Sequence, residues 1–239
     1  NNFERRLGLW PAGFDSDDVM YCNTVFGDYP HYLPDGQANH LESQFTGWML
    51  LNYNKPVTVS STLGGYTPNN AVDEDIKTYW SAETGNAGEW ITTDLGALST
   101  VRAVQINYAD QDAEFLGKSL GVYHQYKLWY SADGKKWKLL TDKSNNRTDV
   151  PHDYIELKEP VLARFVKLEN IHMPTGKFAI SGLRIFGKGA GEKPGKVSNL
   201  IVLRTENDKR SAWLKWSPVD KATGYNIYLG TEPDKLYNC

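Results

Sequence analysis

Short runs of alternating apolar and polar residues dominate this chain, and no long stretch keeps an apolar period of 3.6 residues. Alternation sends every second side chain to one face of a strand, so the pattern predicts β-structure. Val104, Ile106 and Tyr108 mark one strand, and Tyr126, Leu128 and Tyr130 the next. Ser131-Ala132-Asp133-Gly134 interrupts the run, and Trp137 and Leu139 resume it. Asp-Gly accepts the positive φ of a tight turn, so a hairpin is predicted here. Val166 with Leu168, and Leu183 with Ile185, mark two further strands. Strands joined by polar loops, with no helices between them, predict an all-β fold of sandwich or barrel type.

Charge and composition divide the chain. Residues 1–54 carry two basic and seven acidic residues, 55–191 carry sixteen of each, and 192–239 carry eight basic and six acidic. Gly187-Lys188-Gly189-Ala190-Gly191-Glu192-Lys193-Pro194-Gly195 has linker composition. The boundaries expected are 1–54, 55–188, a linker at 189–196, and 197–239. A net charge of −3 over 239 residues provides no basic field for nucleic acid. The longest apolar runs, such as Trp48-Met49-Leu50-Leu51, fall far short of the ~20 residues of a membrane helix, so no membrane span is expected. Cys22 and Cys239 sit at opposite ends, which excludes a disulfide framework, and no Cys/His cluster has zinc spacing. The chain starts at Asn1 without a signal peptide and stops just after a strand pattern, so a piece of a longer protein is expected.

Three ordered motifs stand in the middle segment. Asn69-Asn70-Ala71-Val72-Asp73-Glu74-Asp75-Ile76-Lys77-Thr78-Tyr79-Trp80-Ser81 is an oxygen-rich loop ending on Trp. Gly88-Glu89-Trp90-Ile91-Thr92-Thr93-Asp94-Leu95-Gly96 sets a second Trp before a strand, and Gly182-Leu183-Arg184-Ile185-Phe186-Gly187 closes the segment. This order resembles the discoidin, or coagulation factor 5/8 type C, family, which includes carbohydrate-binding module family 32. The resemblance covers roughly residues 55–188 and implies an eight-stranded jelly-roll β-sandwich with binding loops at one end. It implies that Trp80 and Trp90 are core residues, since a buried Trp contributes ~150–250 Å² to a two-sheet core; the competing reading is that one of them stacks on a sugar.

The loop from Asn70 to Thr78 has two readings. Asp73, Asp75 and Thr78 supply oxygen chemistry suited to Ca²⁺, and related modules hold a structural Ca²⁺ at the matching loop. Two positions depart from the family pattern: Glu74 where Gly is common, and Gly182 where a Glu ligand is common. The other reading makes the aspartates turn residues bonded to nearby backbone. For a glycan site, an aromatic face and a few polar groups are needed. Three loops could supply them: 110–123, 144–153 and 171–176. Phe115 is the candidate platform, and Asn145, Arg147 and His152 are candidate partners for ring hydroxyls. Asn146-Arg147-Thr148 is a glycosylation sequon.

At the N-terminus, Arg5-Arg6-Leu7-Gly8-Leu9-Trp10-Pro11, followed by Gly13-Phe14-Asp15-Ser16-Asp17-Asp18-Val19-Met20-Tyr21, predicts strand, acidic turn, strand. With Phe26-Gly27-Asp28-Tyr29-Pro30-His31 it resembles the end of the five-bladed propeller of family 43 glycoside hydrolases, where Arg5 or Arg6 would face the sugar-binding centre. His31 is a lesser candidate. At the C-terminus, the runs Val197–Val202, Trp213–Pro218 and Gly224–Leu229 resemble the first three strands of a fibronectin type III module. Such a module has ~100 residues, so only part of one is present.

Together the resemblances imply the accessory region of a polysaccharide-degrading glycoside hydrolase that is secreted, cell-surface or periplasmic. The expected partner is a polysaccharide or oligosaccharide, bound by a monomer. The alternatives are a structural spacer and a protein-binding discoidin module. Glycoside hydrolysis needs two carboxyl groups across the scissile bond, and in family 43 these come from earlier propeller blades, so this piece is not expected to be catalytic.

Overall fold

The structure, a computed structural model, describes residues 12–14, 17–22, 26–33, 44–114, 121–208, 210–222, 224–230, 232 and 235–236. The candidate residues Arg5, Arg6 and Phe115 lie outside them. The described residues fall into two compact units, one over 28–190 and one combining 12–27 with 191–236. In the smaller unit, strands β1 (Ala12–Phe14) and β2 (Met20–Cys22) pair antiparallel, with Gly13 opposite Tyr21. This is the strand, acidic turn, strand order expected from sequence.

In the larger unit eight strands form one antiparallel ladder system: β3 (Met49–Leu50), β4 (Val57–Val59), β5 (Trp80–Ser81), β6 (Trp90–Tyr108), β7 (Gln125–Ser131), β8 (Lys138–Asp142), β9 (His152–His172) and β10 (Ala179–Lys188). A single 3₁₀ turn spans Pro68–Ala71, and there is no α-helix among the described residues. Strands β6 and β9, with 19 and 21 residues, are long enough to serve both layers of a sandwich. Their first layer holds residues 90–94 and 165–172 between β4 and β7, with β8 beyond. Their second layer holds residues 99–108 and 152–163 beside β10, along whose free edge β5 and β3 pair.

The corner falls where the β6–β9 register shifts, between Asp94 and Ser99. Gly96 turns there at φ +83°, its amide donating to Asp94 Oδ1 at 2.8 Å. Arg164 closes the same corner with two parallel bonds to the Asp94 carboxylate, each 2.8 Å. This bidentate pair holds the Asp94 carboxyl below its usual range. Both strands thus pass from one layer to the other, and the result is a jelly-roll β-sandwich.

The core lies between the layers. Ile91, Leu128, Val166 and Leu168 face it from the first, and Val104, Ile106, Leu183 and Ile185 from the second, all essentially without exposure. Trp80 is fully buried, edge-on to Phe178 at 5.5 Å, as expected. Trp90 is not a core residue. Its neighbour Ile91 points inward, so the strand's period of two turns Trp90 to the outer face, half-buried.

The hairpin between β7 and β8 is present, but its connection spans 132–137 rather than a tight Asp-Gly turn. The Asp133 carboxylate accepts the Lys136 and Lys135 amides at 2.8 and 2.9 Å, which draws its pKa down to about 2. A bulge after Leu128 then shifts the register, so that Leu140, not Leu139, packs on the core, and Leu139 is 47% exposed. One inserted residue exchanges the two faces of a strand.

The described residues of 28–54 belong with the sandwich. Met49 and Leu50 pair with β10, Asn52 is buried and bonds across to Leu183 and Ile185, and Trp48 is buried with Ala103 and Phe186. Arg184 anchors this layer. Its guanidinium pairs with Asp28 at 2.9 Å and Glu74 at 2.8 Å, donates to Gln105 at 3.0 Å, and lies over the Phe186 ring at 4.9 Å and the Tyr29 ring at 5.7 Å. His31 Nδ1 lies 2.7 Å from the Tyr29 carbonyl, a local turn contact.

In the smaller unit, strands β11 (Ile201–Arg204) and β12 (Ala212–Lys215) also pair antiparallel. Of the segment 224–229, where a third strand was expected, residues 224–228 lie outside any described ladder and Leu229 forms an isolated bridge. The Tyr225 ring lies 5.2 Å from Trp216, and its hydroxyl accepts the Val219 amide at 2.9 Å.

Candidate functional site

Strand pairing gathers four loops at one end of the sandwich. Tyr108 faces Ile180, Asn107 faces His152, and Gln125 faces His172, so the loops leaving these positions lie side by side. Their described residues are 82–89, 109–114 with 121–124, 143–151 and 173–178. Their backbones pack closely. At Gly176, with φ +72°, a Cβ would overlap the Gln111 carbonyl, so only glycine allows this approach. Lys177 bridges the same loops, pairing with Asp112 at 3.3 Å and donating to the Glu83 carbonyl at 3.1 Å. Tyr79 stacks on Tyr66 at 4.7 Å and donates to Gln111 Oε1 at 2.7 Å. Glu89 ties further loop segments, accepting from the Ser60 hydroxyl, from Ser61 at 2.8 Å and from Thr84 at 2.7 Å. Burial would raise the Glu89 pKa, but the hydroxyl donors outweigh it and the pKa is lowered.

A second group stands at this end. The Arg147 guanidinium lies 4.8 Å from the Tyr123 ring centroid, and His172 lies 4.8 Å from the same ring. Arg147 Nη1 donates to the Asn146 carbonyl at 3.0 Å, which holds the guanidinium in place. Asn145 is exposed in the adjacent turn. Behind this group the buried His124 stacks on Tyr108 at 3.9 Å. Burial pushes the His124 pKa down to about 4.

Of the residues predicted from sequence, Asn145 and Arg147 sit on this loop surface. His152 is exposed at the same end. It opens β9, and its Nδ1 lies 3.0 Å from Asn107 Oδ1, a neighbour across the ladder. Tyr123 and His172 were not singled out, because they meet Arg147 only across separations of 24 and 25 residues. The only trace of them was two aromatic rings in loops already suspected. The sequon has a structural use: Asn146 Nδ2 donates to the His124 carbonyl at 2.9 Å and the Thr148 carbonyl at 2.8 Å.

The Asp73–Thr78 loop has features of both readings. Asp73 Oδ1 accepts the Asp75 amide, and Asp75 Oδ1 the Lys77 amide, each at 2.9 Å, as turn residues do. Three other oxygens converge: Thr78 Oγ1 lies 2.7 Å from Asp73 Oδ2 and 3.1 Å from the Asp75 carbonyl. Glu74, in left-handed conformation at φ +61°, is directed to Arg184. That pairing offsets a conformational cost of about 1–2 kcal/mol for a residue with a Cβ. At Gly182 a Cβ would press on the Asn107 amide. The described residues hold no cluster of three His, Cys, Asp or Glu side chains able to bind a metal.

A jelly-roll sandwich with a surface of loops at one end defines a discoidin-type module. The F5/8 type C domain profile matches residues 56–183, more than half of the chain, and the chain belongs to the F5/8 type C domain family. Among solved structures, it is similar to chitosan-binding module 1 of a chitosanase/glucanase from Paenibacillus sp. IK-5, with 21% identity over 58% of this chain and 99% of that one, and a TM-score of 0.48. Module 2 of the same enzyme, solved with chitotriose, is 22% identical over 57% and 99%, with a TM-score of 0.49. The family 32 carbohydrate-binding module of NanJ from C. perfringens, solved with galactose, is 17% identical over 56% and 93%, with a TM-score of 0.45. No curated protein matches the chain. Among the described residues no helix is long and apolar enough to cross a membrane.

Proposed function

We propose that the F5/8 type C module binds carbohydrate through its loop end, as the accessory region of a secreted, cell-surface or periplasmic glycoside hydrolase. The observation that carries this reading is the Arg147 guanidinium over the Tyr123 ring, with His172 beside the same ring. A planar guanidinium fixed on an aromatic ring presents several N–H donors at defined angles, which suits adjacent ring hydroxyls. Exposed Asn145 adds a donor and an acceptor beside it. Tethering such a module to a catalytic domain raises the local substrate concentration without any new contact to the reacting bond. Calcium at Asp73, the Asp75 carbonyl and Thr78 would brace the neighbouring loop; chelation should then lower the melting temperature, and elemental analysis should find the metal.

A glycan array identifies a ligand, and calorimetry with Arg147→Ala and Tyr123→Ala tests the site. Both variants should bind at least tenfold more weakly while keeping the wild-type melting temperature. Undiminished binding would overturn the loop-end site, and the absence of any glycan ligand would favour the spacer reading. The chain by itself should release no product from aryl arabinosides, xylosides or galactosides.

A further inference from the structure

The outer face of the first layer carries a feature that the loop-end reading does not use. One cross-strand row runs Thr58, Thr92, Lys167, Trp129, Leu139 over β4, β6, β9, β7 and β8. Trp90 and Phe165 flank this row on the same face, two positions along their strands, and Trp137 enters from the β7–β8 connection. Thr58, Trp90, Thr92, Trp137, Phe165 and Lys167 line an open cleft of about 450 Å³. That is within the size range of small-ligand sites, which are mostly aromatic with a few placed polar groups.

The polar groups of the cleft are unspent. Among the described residues, neither the indole N–H of Trp90 or Trp137 nor the hydroxyl of Thr58 or Thr92 has a hydrogen-bond partner. Lys167 Nζ sits 5.0 Å from the Trp137 ring and 5.7 Å from the Trp129 ring, and no described carboxylate pairs with it. The nearby acids are committed elsewhere. Glu169 accepts the Trp129 indole N–H at 2.6 Å, Asp94 pairs with Arg164 at 2.8 Å, and Asp133 caps backbone amides. Lys135 and Lys136 stand exposed on the adjoining connection. The cleft therefore combines aromatic faces, neutral hydrogen-bonding groups and an unbalanced positive charge.

We propose that this cleft is a second saccharide site, separate from the loop end, that takes a sugar ring bearing a carboxylate. The ring would lie against Trp90 and Trp137, its hydroxyls would meet the free indole N–H and threonine groups, and its carboxylate would pair with Lys167. The charge separates this occupant from a neutral glycan, and the ring hydroxyls separate it from an acidic peptide.

The test uses the whole chain, tetramers of galacturonate, glucuronate and mannuronate, their methyl esters, and tetraglutamate. Indole N–H resonances report the site and calorimetry the affinity. At least one uronate tetramer should shift the Trp90 and Trp137 signals, with its ester binding at least tenfold more weakly. Lys167→Gln should weaken that binding at least tenfold with the melting temperature unchanged, and Arg147→Ala should leave it intact. Trp137→Ala should abolish it; if that variant does not fold, Lys167→Gln still decides. Failure of all three uronates, equal binding of acid and ester, equal binding by Lys167→Gln, or binding of tetraglutamate in their place would each overturn the proposal. Loss with Arg147→Ala alone would return the ligand to the loop end.

Discussion

The two outer faces of the sandwich begin from similar material and end differently. The second layer's outer face carries Phe186 and Ala103, and Trp48, Leu50 and Tyr29 cover it, with Arg184 ion-paired and set against the Phe186 and Tyr29 rings. The first layer's outer face carries Trp90, Trp129, Trp137 and Phe165, and these residues stay half-buried around an open cleft. Both faces place cations against aromatic rings: Arg184 and Arg102 on the second layer, Lys167 and Arg164 on the first. Arg184 has two carboxylate partners, whereas Lys167 has none among the described residues. A cation whose partners come from its own chain locks a structural layer. One left without them is available to a partner from outside.

Four measurements sharpen or break this contrast. The largest effect belongs to neither face. Trp80→Ala empties the core between the layers and should cost about 3–5 kcal/mol in a denaturant titration. A loss no greater than that of the outer-face variants below would mean that the core is not where stability is concentrated.

Next comes Arg184→Met, which leaves Glu74 and Asp28 unpaired and removes packing from Phe186. Because both carboxylates regain some water, the expected loss is about 2 kcal/mol, below the full cost of breaking a buried pair. The Trp48 indole N–H resonance should report loosening of residues 44–50.

Acid supplies a background common to both faces. His124 has a folded pKa of about 4 against an ordinary 6.5. Above the upper value both states are neutral and the contribution to stability is complete. Between the two, only the unfolded chain takes the proton, so stability falls as pH falls, by about 1.4 kcal/mol per pH unit at most. His124→Phe keeps a ring on Tyr108 and should flatten this part of the profile, leaving the increments of outer-face variants unchanged.

The smallest effect is expected for Trp90→Ala, about 1–2 kcal/mol, because the side chain is only half-buried and solvent already reaches its cleft. A loss matching Trp80→Ala would make Trp90 a structural residue and close the comparison in favour of two structural faces.

The sandwich was largely legible in the sequence because burial on one side imposes a period of two. Val104, Ile106, Leu128, Val166, Leu168, Leu183 and Ile185 all fell on the side the alternation assigned. The candidate site was legible only in part. Arg147 and Asn145 were found because they stand in a polar loop, while Tyr123 and His172 meet Arg147 only after distant strands pair. Two assignments along the strands failed for one reason. A motif names a Trp but does not say which face it takes, so Trp90 was placed inside when its neighbour Ile91 held that position. The bulge after Leu128 likewise exchanged Leu139 for Leu140.

By itself the sequence determined the strand class, the order of motifs, the family and the loops able to carry polar chemistry. All of these depend on local period and residue type. Only the tertiary structure decided what lies across a ladder or a corner. The meeting of Thr58, Lys167 and Trp137 in one cleft, the pairing of Arg184 with Asp28 and Glu74, and the turning of Trp90 outward depend on register and on the bend of β6 and β9. Register is a global property, set when two sheets bury one shared core, and one extra residue in a strand reverses every face beyond it.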